Sequence, residues 1–275
     1  MNKGLAITLI VLLSSIVIAL TIGIVIVIKK GITFSNFNFN TTSTNLIEEK
    51  EINNIKDLNI EFNTLDIEIK TTEEETITIK LYSDDEKEHK IEEQEDIINI
   101  VHKEQEHRIN FFNKSPKLVI YLPSSYDKEI NIEGEVGDIH IDKLPNTNIK
   151  TNIDVGDIKA ESLNKANIKL KTGDIKINKL NDLIAELQTG DIKLNEINNY
   201  LDINLKIGDV KIEEANLNEN SKIEVKTGDV KIQKTNEIYV EADTRIGDTK
   251  VQNKNRKAEI ELTIKVDVGD IKSNN

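Results

Sequence analysis

The chain has 275 residues, a net charge of −13, no cysteine, no tryptophan and only 4% aromatic residues. The missing cysteines exclude disulfides, thiolate metal sites and lipidation at sulfur, and the acidic balance argues against nucleic-acid binding, which needs a basic face. The length suits one large domain or two small ones.

Residues 5–28 form an uncharged, overwhelmingly apolar run. At about 1.5 Å per residue it is long enough to cross about 30 Å of hydrocarbon. A secretory signal would have a shorter apolar core and a small-residue cleavage site, whereas this run ends in Lys29-Lys30. Residues 1–30 are therefore predicted to be an uncleaved transmembrane anchor that places the protein at the cell membrane as a single-pass chain. Lys3 and the amino terminus on one side nearly balance Lys29 and Lys30 on the other, so charge leaves the orientation open. Residues 31–46 are polar, poor in charge and free of helical periodicity, and read as a membrane-proximal linker.

From Leu46 onward an alternation of period two dominates, as in "LNIEFNTLDIEIK" and "TITIKLY". It predicts half-buried strands, and residues 47–275 read as one β domain. Residues 83–108 are highly charged around an apolar "IINIV", which suggests a solvated hairpin.

From residue 131 a repeat takes over. Gly137-Asp138, Gly156-Asp157, Gly173-Asp174, Gly190-Asp191, Gly208-Asp209, Gly228-Asp229, Gly247-Asp248 and Gly269-Asp270 follow one another at intervals of 17 to 22 residues. The residue before each Gly is β-branched: Val136, Val155, Thr172, Thr189, Ile207, Thr227, Ile246 and Val268. The second residue after it is Ile or Val, except for Thr249, and Asn recurs eight after Gly at Asn164, Asn181, Asn198, Asn216, Asn236 and Asn255.

Strand side chains alternate between faces. Ile168, Leu170 and Thr172 should point one way, as should Ile175 and Ile177, yet two residues separate Thr172 from Ile175. The alternation slips at Gly-Asp, which predicts a bulge or a corner. Glycine reaches φ > 0 there without steric cost, and the Asp side chain can bond neighbouring amides. The recurrent Asn predicts a second corner, with the length variation projecting after it. A unit of about 18 residues cannot bury its apolar face alone, so the units must stack. The predicted fold is all-β, a single-stranded β-solenoid of about eight or more coils preceded by one transmembrane helix. With coils about 4.8 Å apart the rod would be about 35 to 40 Å long, and the sixteen Gly and Asp residues would be its structural corners.

Stacking places Asp over Asp, a repulsion of about 0.9 kcal/mol per pair in water and about 3.5 at a surface-like dielectric. A neighbouring column, three after Gly, offers neutralisation: His140, Lys159, Lys176, Lys193, Lys211, Lys231, Lys250 and Lys272. A row of Ca²⁺ ions is the rival, although calcium-binding β-rolls carry denser glycine and a nine-residue period. No metal or other cofactor is expected. His89, His102, His107 and His140 read as surface residues. No phosphate-binding or nucleophile motif occurs, and the few scattered Tyr offer no sugar platform, so the chain is not expected to be an enzyme. At the C-terminus, Val266, Val268 and Ile271 would leave an exposed terminal coil, an open sheet edge that permits self-association.

"PKLVIYLPSSYDKEINIEGEVGDIHI", residues 116–141, with the Gly-Asp-Ile/Val repeats that follow, resembles the bacterial putative-adhesin family. "IKDLNIEFNTLDIEIKTTEEETITIKLY", residues 55–82, resembles that family's opening segment, with Leu65-Asp66 in place of Gly-Asp, and suggests a first corner built differently. The resemblance spans roughly residues 50–275. It implies a toast-rack-like β-helix, a membrane anchor and an extracytoplasmic rod, and for some members a place beside envelope-stress systems. It supplies no catalytic residues. The implied role is a non-catalytic binding, adhesion or scaffolding module with an unidentified envelope partner. A polymerising, cytoskeleton-like β-helix on the cytoplasmic face and a regulatory accessory of a neighbouring membrane protein are the alternatives.

Overall fold

The computed structural model describes residues 45–83, 89–103, 116–252 and 255–274. The predicted anchor (1–30) and almost all of the predicted linker (31–46) lie outside the described residues, as does His107. Among the described residues no helix is long and apolar enough to cross a membrane.

The described elements are all strands. The first part comprises β1 (Asn45–Ile52), β2 (Asp57–Thr64), β3 (Asp66–Thr72), β4 (Ile77–Ser83), β5 (His89–Glu93), β6 (Ile97–His102) and β7 (Lys117–Pro123). The repeats form β8 (Glu129–Val136), β9 (Ile139–Val155), β10 (Ile158–Thr172), β11 (Ile175–Thr189) and β12 (Ile192–Ile207). Shorter strands complete the chain: β13 (Val210–Ala215), β14 (Ser221–Thr227), β15 (Val230–Thr235), β16 (Tyr239–Ile246), β17 (Thr249–Val251), β18 (Glu261–Val268) and β19 (Ile271–Ser273).

Through the middle of the molecule the coils stack in parallel and in chain order. Ile158 lies opposite both Ile139 and Ile175, and Ile192 opposite Ile175 and Val210. Each coil closes its apolar residues onto the coils above and below, which suits the Ile- and Val-rich strands of a sheet buried by stacking. In the Gly156 coil the buried positions are Ile158, Ala160, Leu163, Ala166, Ile168 and Leu170. Period two breaks on both sides of Leu163, so each coil bends there as well as at Gly-Asp. The recurrent Asn marks the later of these bends. Pairing shifts register between Leu163 and Lys165 and again between Leu180 and Asp182, flanking Asn164 and Asn181. The side chains form a short amide ladder, Asn181 donating to Asn164 at 3.0 Å and Asn164 to Asn148 at 2.9 Å. In later coils the strand itself ends just before the Asn, at Ala215 ahead of Asn216 and at Thr235 ahead of Asn236, and the extra residues of the longer repeats follow.

Both ends depart from simple stacking. The tier of β2 and β3 sits on that of β8 and β9, across 72 residues of chain: Thr64 opposes Val136 and Ile67 opposes Ile139. β6 and β7 lie on its other face in parallel. Beyond them, β5 pairs antiparallel with β6, β4 with β7 and β1 with β4. The rod is therefore closed at this end by an antiparallel cap, which the single-stranded solenoid expectation did not contain. The expected solvated hairpin is the β5–β6 hairpin, but it is half core: Ile98, Ile100 and His102 are buried in alternation. His102, only 1% exposed, follows that inward register and is not the surface residue expected. The outer strands β1 and β5 carry charges along their edges (Glu48, Glu49, Lys50, Glu51, Glu92), a feature that discourages further pairing. Tyr126 pins the cap to the rod, its buried hydroxyl donating to the Lys56 carbonyl at 2.7 Å, and burial pushes its phenol up from its ordinary pKa.

The other end reverses chain order. β18 pairs with β14 on one face and β16 on the other, and β19 lies between β15 and β17. The last coil is thus intercalated, and the coil of β16 and β17 ends the rod. Side-chain character explains the exchange. In register, Ala242 stands over Ile264, Thr244 over Val266 and Thr249 over Ile271. Burying an aliphatic side chain contributes about 1.5–3 kcal/mol, so these three steps favour the arrangement that encloses Ile264, Val266 and Ile271 beneath Ala and Thr, while Val240 over Leu262 is even and Val251 over Ser273 runs the other way. The expectation of an exposed coil bearing Val266 and Ile271 is corrected on this ground: both are buried, and of the three only Val268 is exposed.

Candidate functional site

The Gly-Asp corners line up along the rod. At seven of them, Gly156, Gly173, Gly190, Gly208, Gly228, Gly247 and Gly269, φ lies between 137° and 150°. A second constraint, invisible in one coil, comes from stacking: a Cβ on any of these glycines would fall on the carbonyl oxygen of the Gly in the adjacent coil. Gly137 lacks the positive φ but has the same constraint, since its Cβ would meet the Leu65 carbonyl.

Each Asp side chain bonds the next coil. Asp138, Asp157, Asp174, Asp191, Asp209 and Asp229 each donate a backbone N–H to Oδ1 of the preceding ladder Asp, at 2.8 to 3.1 Å. The ladder starts at Asp66, and at the far end Asp270 bonds Asp229 and Asp248 bonds Asp270, both at 2.8 Å. The first corner shares the bond from its pre-Asp amide, Leu65 N donating to Val136 O at 3.0 Å, but it is built differently below: the Asp66 N–H donates to the Pro116 carbonyl at 3.0 Å and not to an Asp carboxylate. Leu65, in place of glycine, is fully buried. Backbone bonds continue the ladder on either side of each Asp, with Gly190 N donating to Ile207 O at 3.0 Å and Ile192 N to Asp209 O at 2.9 Å.

Neutralisation of the Asp column comes mainly from these amides. Among the described residues Lys159 alone of the adjacent basic column forms an ion pair with a ladder Asp, reaching Asp157 Oδ2 at 3.2 Å. Lys211 turns to Glu213 and His140 to Asp142. Oδ1 accepts an amide in every coil except the outermost, that of Asp248, which leaves Oδ2 as the oxygen that faces the cationic column. The N–H of Asp174 and then Lys159 hold the Asp157 carboxyl below the usual carboxylate range. A depressed folded-state pKa means the unfolded chain binds the proton more readily. The stability this group contributes is complete above the ordinary carboxylate pKa and is lost as pH falls through the depressed one. An Asp157→Asn chain should therefore show a shallower loss of melting temperature than the parent between neutral and strongly acid pH, read by thermal scans.

Asp191→Ala should destabilise the rod by about 1–2 kcal/mol, because the amide of Asp209 loses its acceptor. Asp191→Asn, which keeps an acceptor oxygen, should restore most of that loss in denaturant unfolding.

The residues preceding glycine correct another expectation. Thr172 does not continue the inward row of Ile168 and Leu170. It is exposed, as are Val136, Val155, Thr189, Ile207, Thr227, Val268 and Ile246, because the chain leaves the core before the corner. Ile207 is 55% and Ile246 61% exposed. Three parallel columns thus run along the corner face: β-branched, carboxylate and ammonium, with coils about 4.8 Å apart.

This corner face recurs from Leu65-Asp66 to Gly269-Asp270, and a family model, Toastrack DUF4097, matches residues 55–273. The chain belongs to the Toastrack DUF4097 family. No curated protein matches it. Among solved structures it is similar to a putative adhesin from Bacteroides fragilis, at 16% identity and TM-score 0.53, covering 82% of this chain and 96% of that one. It is also similar to a putative lipid binding protein from Parabacteroides distasonis, at 15% identity and TM-score 0.48, covering 86% and 98%. At these identities the first likeness concerns the Toastrack fold alone.

Proposed function

We propose that this Toastrack chain is a non-catalytic binding, adhesion or scaffolding module of the bacterial cell envelope, held to a membrane by residues 5–28 with the rod outside the cell. One observation carries the reading: the corner face repeats the same three outward side chains in register, coil after coil, on a backbone locked by the Asp ladder. Such a surface suits an extended partner that is met at many equivalent points. The adhesin name of the Bacteroides fragilis relative agrees with this role. Against a cytoskeletal polymer stands the end coil, where Ala242, Thr244 and Thr249 replace the aliphatic side chains that end-to-end stacking would bury.

The test is protease treatment of intact cells that express the chain with a tag after Asn275. Loss of the tag before lysis is the expected result. Protection that ends only on lysis would overturn the extracytoplasmic reading and favour a cytoplasmic role.

A further inference from the structure

The intercalated coil is a discrete segment. Residues 261–273 end the ordered β structure and are joined to β17 by the linker 252–260. Leu262, Ile264, Val266 and Ile271 bury their side chains in the rod. The slot they fill is bounded by the Gly228 coil and the Gly247 coil, and it uses the bonds found at every other step. Gly228 N donates to Val268 O and Gly269 N to Ile246 O, both at 2.9 Å, while the Asp ladder runs through Asp270 unbroken. None of these bonds depends on the linker belonging to the same chain.

We propose that this slot is a strand-acceptor site, and that its alternative occupant is the 261–273 segment of a second copy of this chain. Reciprocal exchange yields a dimer in which each rod is completed by its partner's last coil. All ladder bonds and all buried side chains are conserved in the exchanged form. The two states then differ in linker conformation and in concentration, the usual conditions for exchange of an identical element. Because the tethered segment competes intramolecularly for the slot, exchange is favoured when chains fold together at high concentration. The inference is independent of the envelope reading.

The absence of cysteine makes the test direct. Thr227 and Val268 are exposed partners across the slot, at the roughly 4.8 Å spacing of neighbouring strands, within disulfide reach. Full-length Thr227→Cys/Val268→Cys chains carrying two different tags are unfolded together, refolded in detergent over a hundredfold range of protein concentration, and oxidised. Thr172→Cys/Thr189→Cys chains, whose coils are consecutive, are the control. The expected result is a disulfide-linked dimer bearing both tags whose share rises several-fold with concentration, while the control pair closes only within its own chain. Closure of the Thr227/Val268 pair within single chains at every concentration would overturn the proposal. So would equal cross-linking between chains by both pairs, which would point to contact through the corner faces without exchange.

Discussion

Replacing Gly190 with Ala should destabilise the rod by about 3 kcal/mol or more. At φ 138° the backbone is in a region that only glycine occupies readily, and forcing another residue there costs about 1–3 kcal/mol. The added Cβ also lands on the carbonyl oxygen of Gly173, an overpacking cost of about 1–3 kcal/mol. Relief by a backbone shift is blocked on both sides. Gly173 N is bonded to Thr189 O, and Ile175 N to Asp191 O, so separating the two glycines stretches the ladder at neighbouring bonds. Thr189→Ala, one residue away and exposed, should change stability by less than about 0.5 kcal/mol. Denaturant midpoints of the two variants provide the comparison. Equal midpoints would show that the corner does not need glycine.

Ile264→Ala should cost about 2–5 kcal/mol, the transfer and cavity loss of a fully buried aliphatic residue. Ala242→Ile, one coil further out in the same column, should change stability by less than about 1 kcal/mol, since Ala242 has no coil beyond it. The pair tests the reversed order of the last two coils. Were they stacked in chain order, Ala242 would lie between two coils, and the larger side chain would overpack by about 1–3 kcal/mol. A strongly destabilised Ala242→Ile chain beside a nearly neutral Ile264→Ala chain would therefore overturn the topology, with melting temperature as the readout.

The central coils were legible in the sequence because their signals are local and repeated. Period-two runs, Gly-Asp at a nearly constant interval and Ile two residues later each state the same requirement in every copy. The second reason for glycine was not legible, because the carbonyl that excludes its Cβ belongs to another coil, 17 to 22 residues away in most copies and 72 at Gly137. The outward turn of Thr172 and its equivalents was lost for a different reason: extending strand alternation up to the corner assigns them to the core. At the C-terminal end the clue was a single residue. Thr249 breaks a column of Ile and Val, and only the stacked structure shows that an interrupted column marks the coil that meets water. The antiparallel cap has no repeat to announce it. Its strands read as strands, but their partners are set by distant pairings, such as Asp57 with Ile97.

The intercalation of β18 and β19 also bears on how the molecule carries load. Most of its interstrand hydrogen bonds run along the rod, so tension on an outermost strand can open one ladder at a time, like a zipper. The carboxyl-terminal strand is not outermost. Ile271 and Lys272 are gripped between β15 and β17, and the Asn274 N–H donates to Ile232 O at 3.0 Å. A pull applied to this end must break two ladders together, whereas a pull on β1, which among the described residues pairs with β4 alone, need break only one.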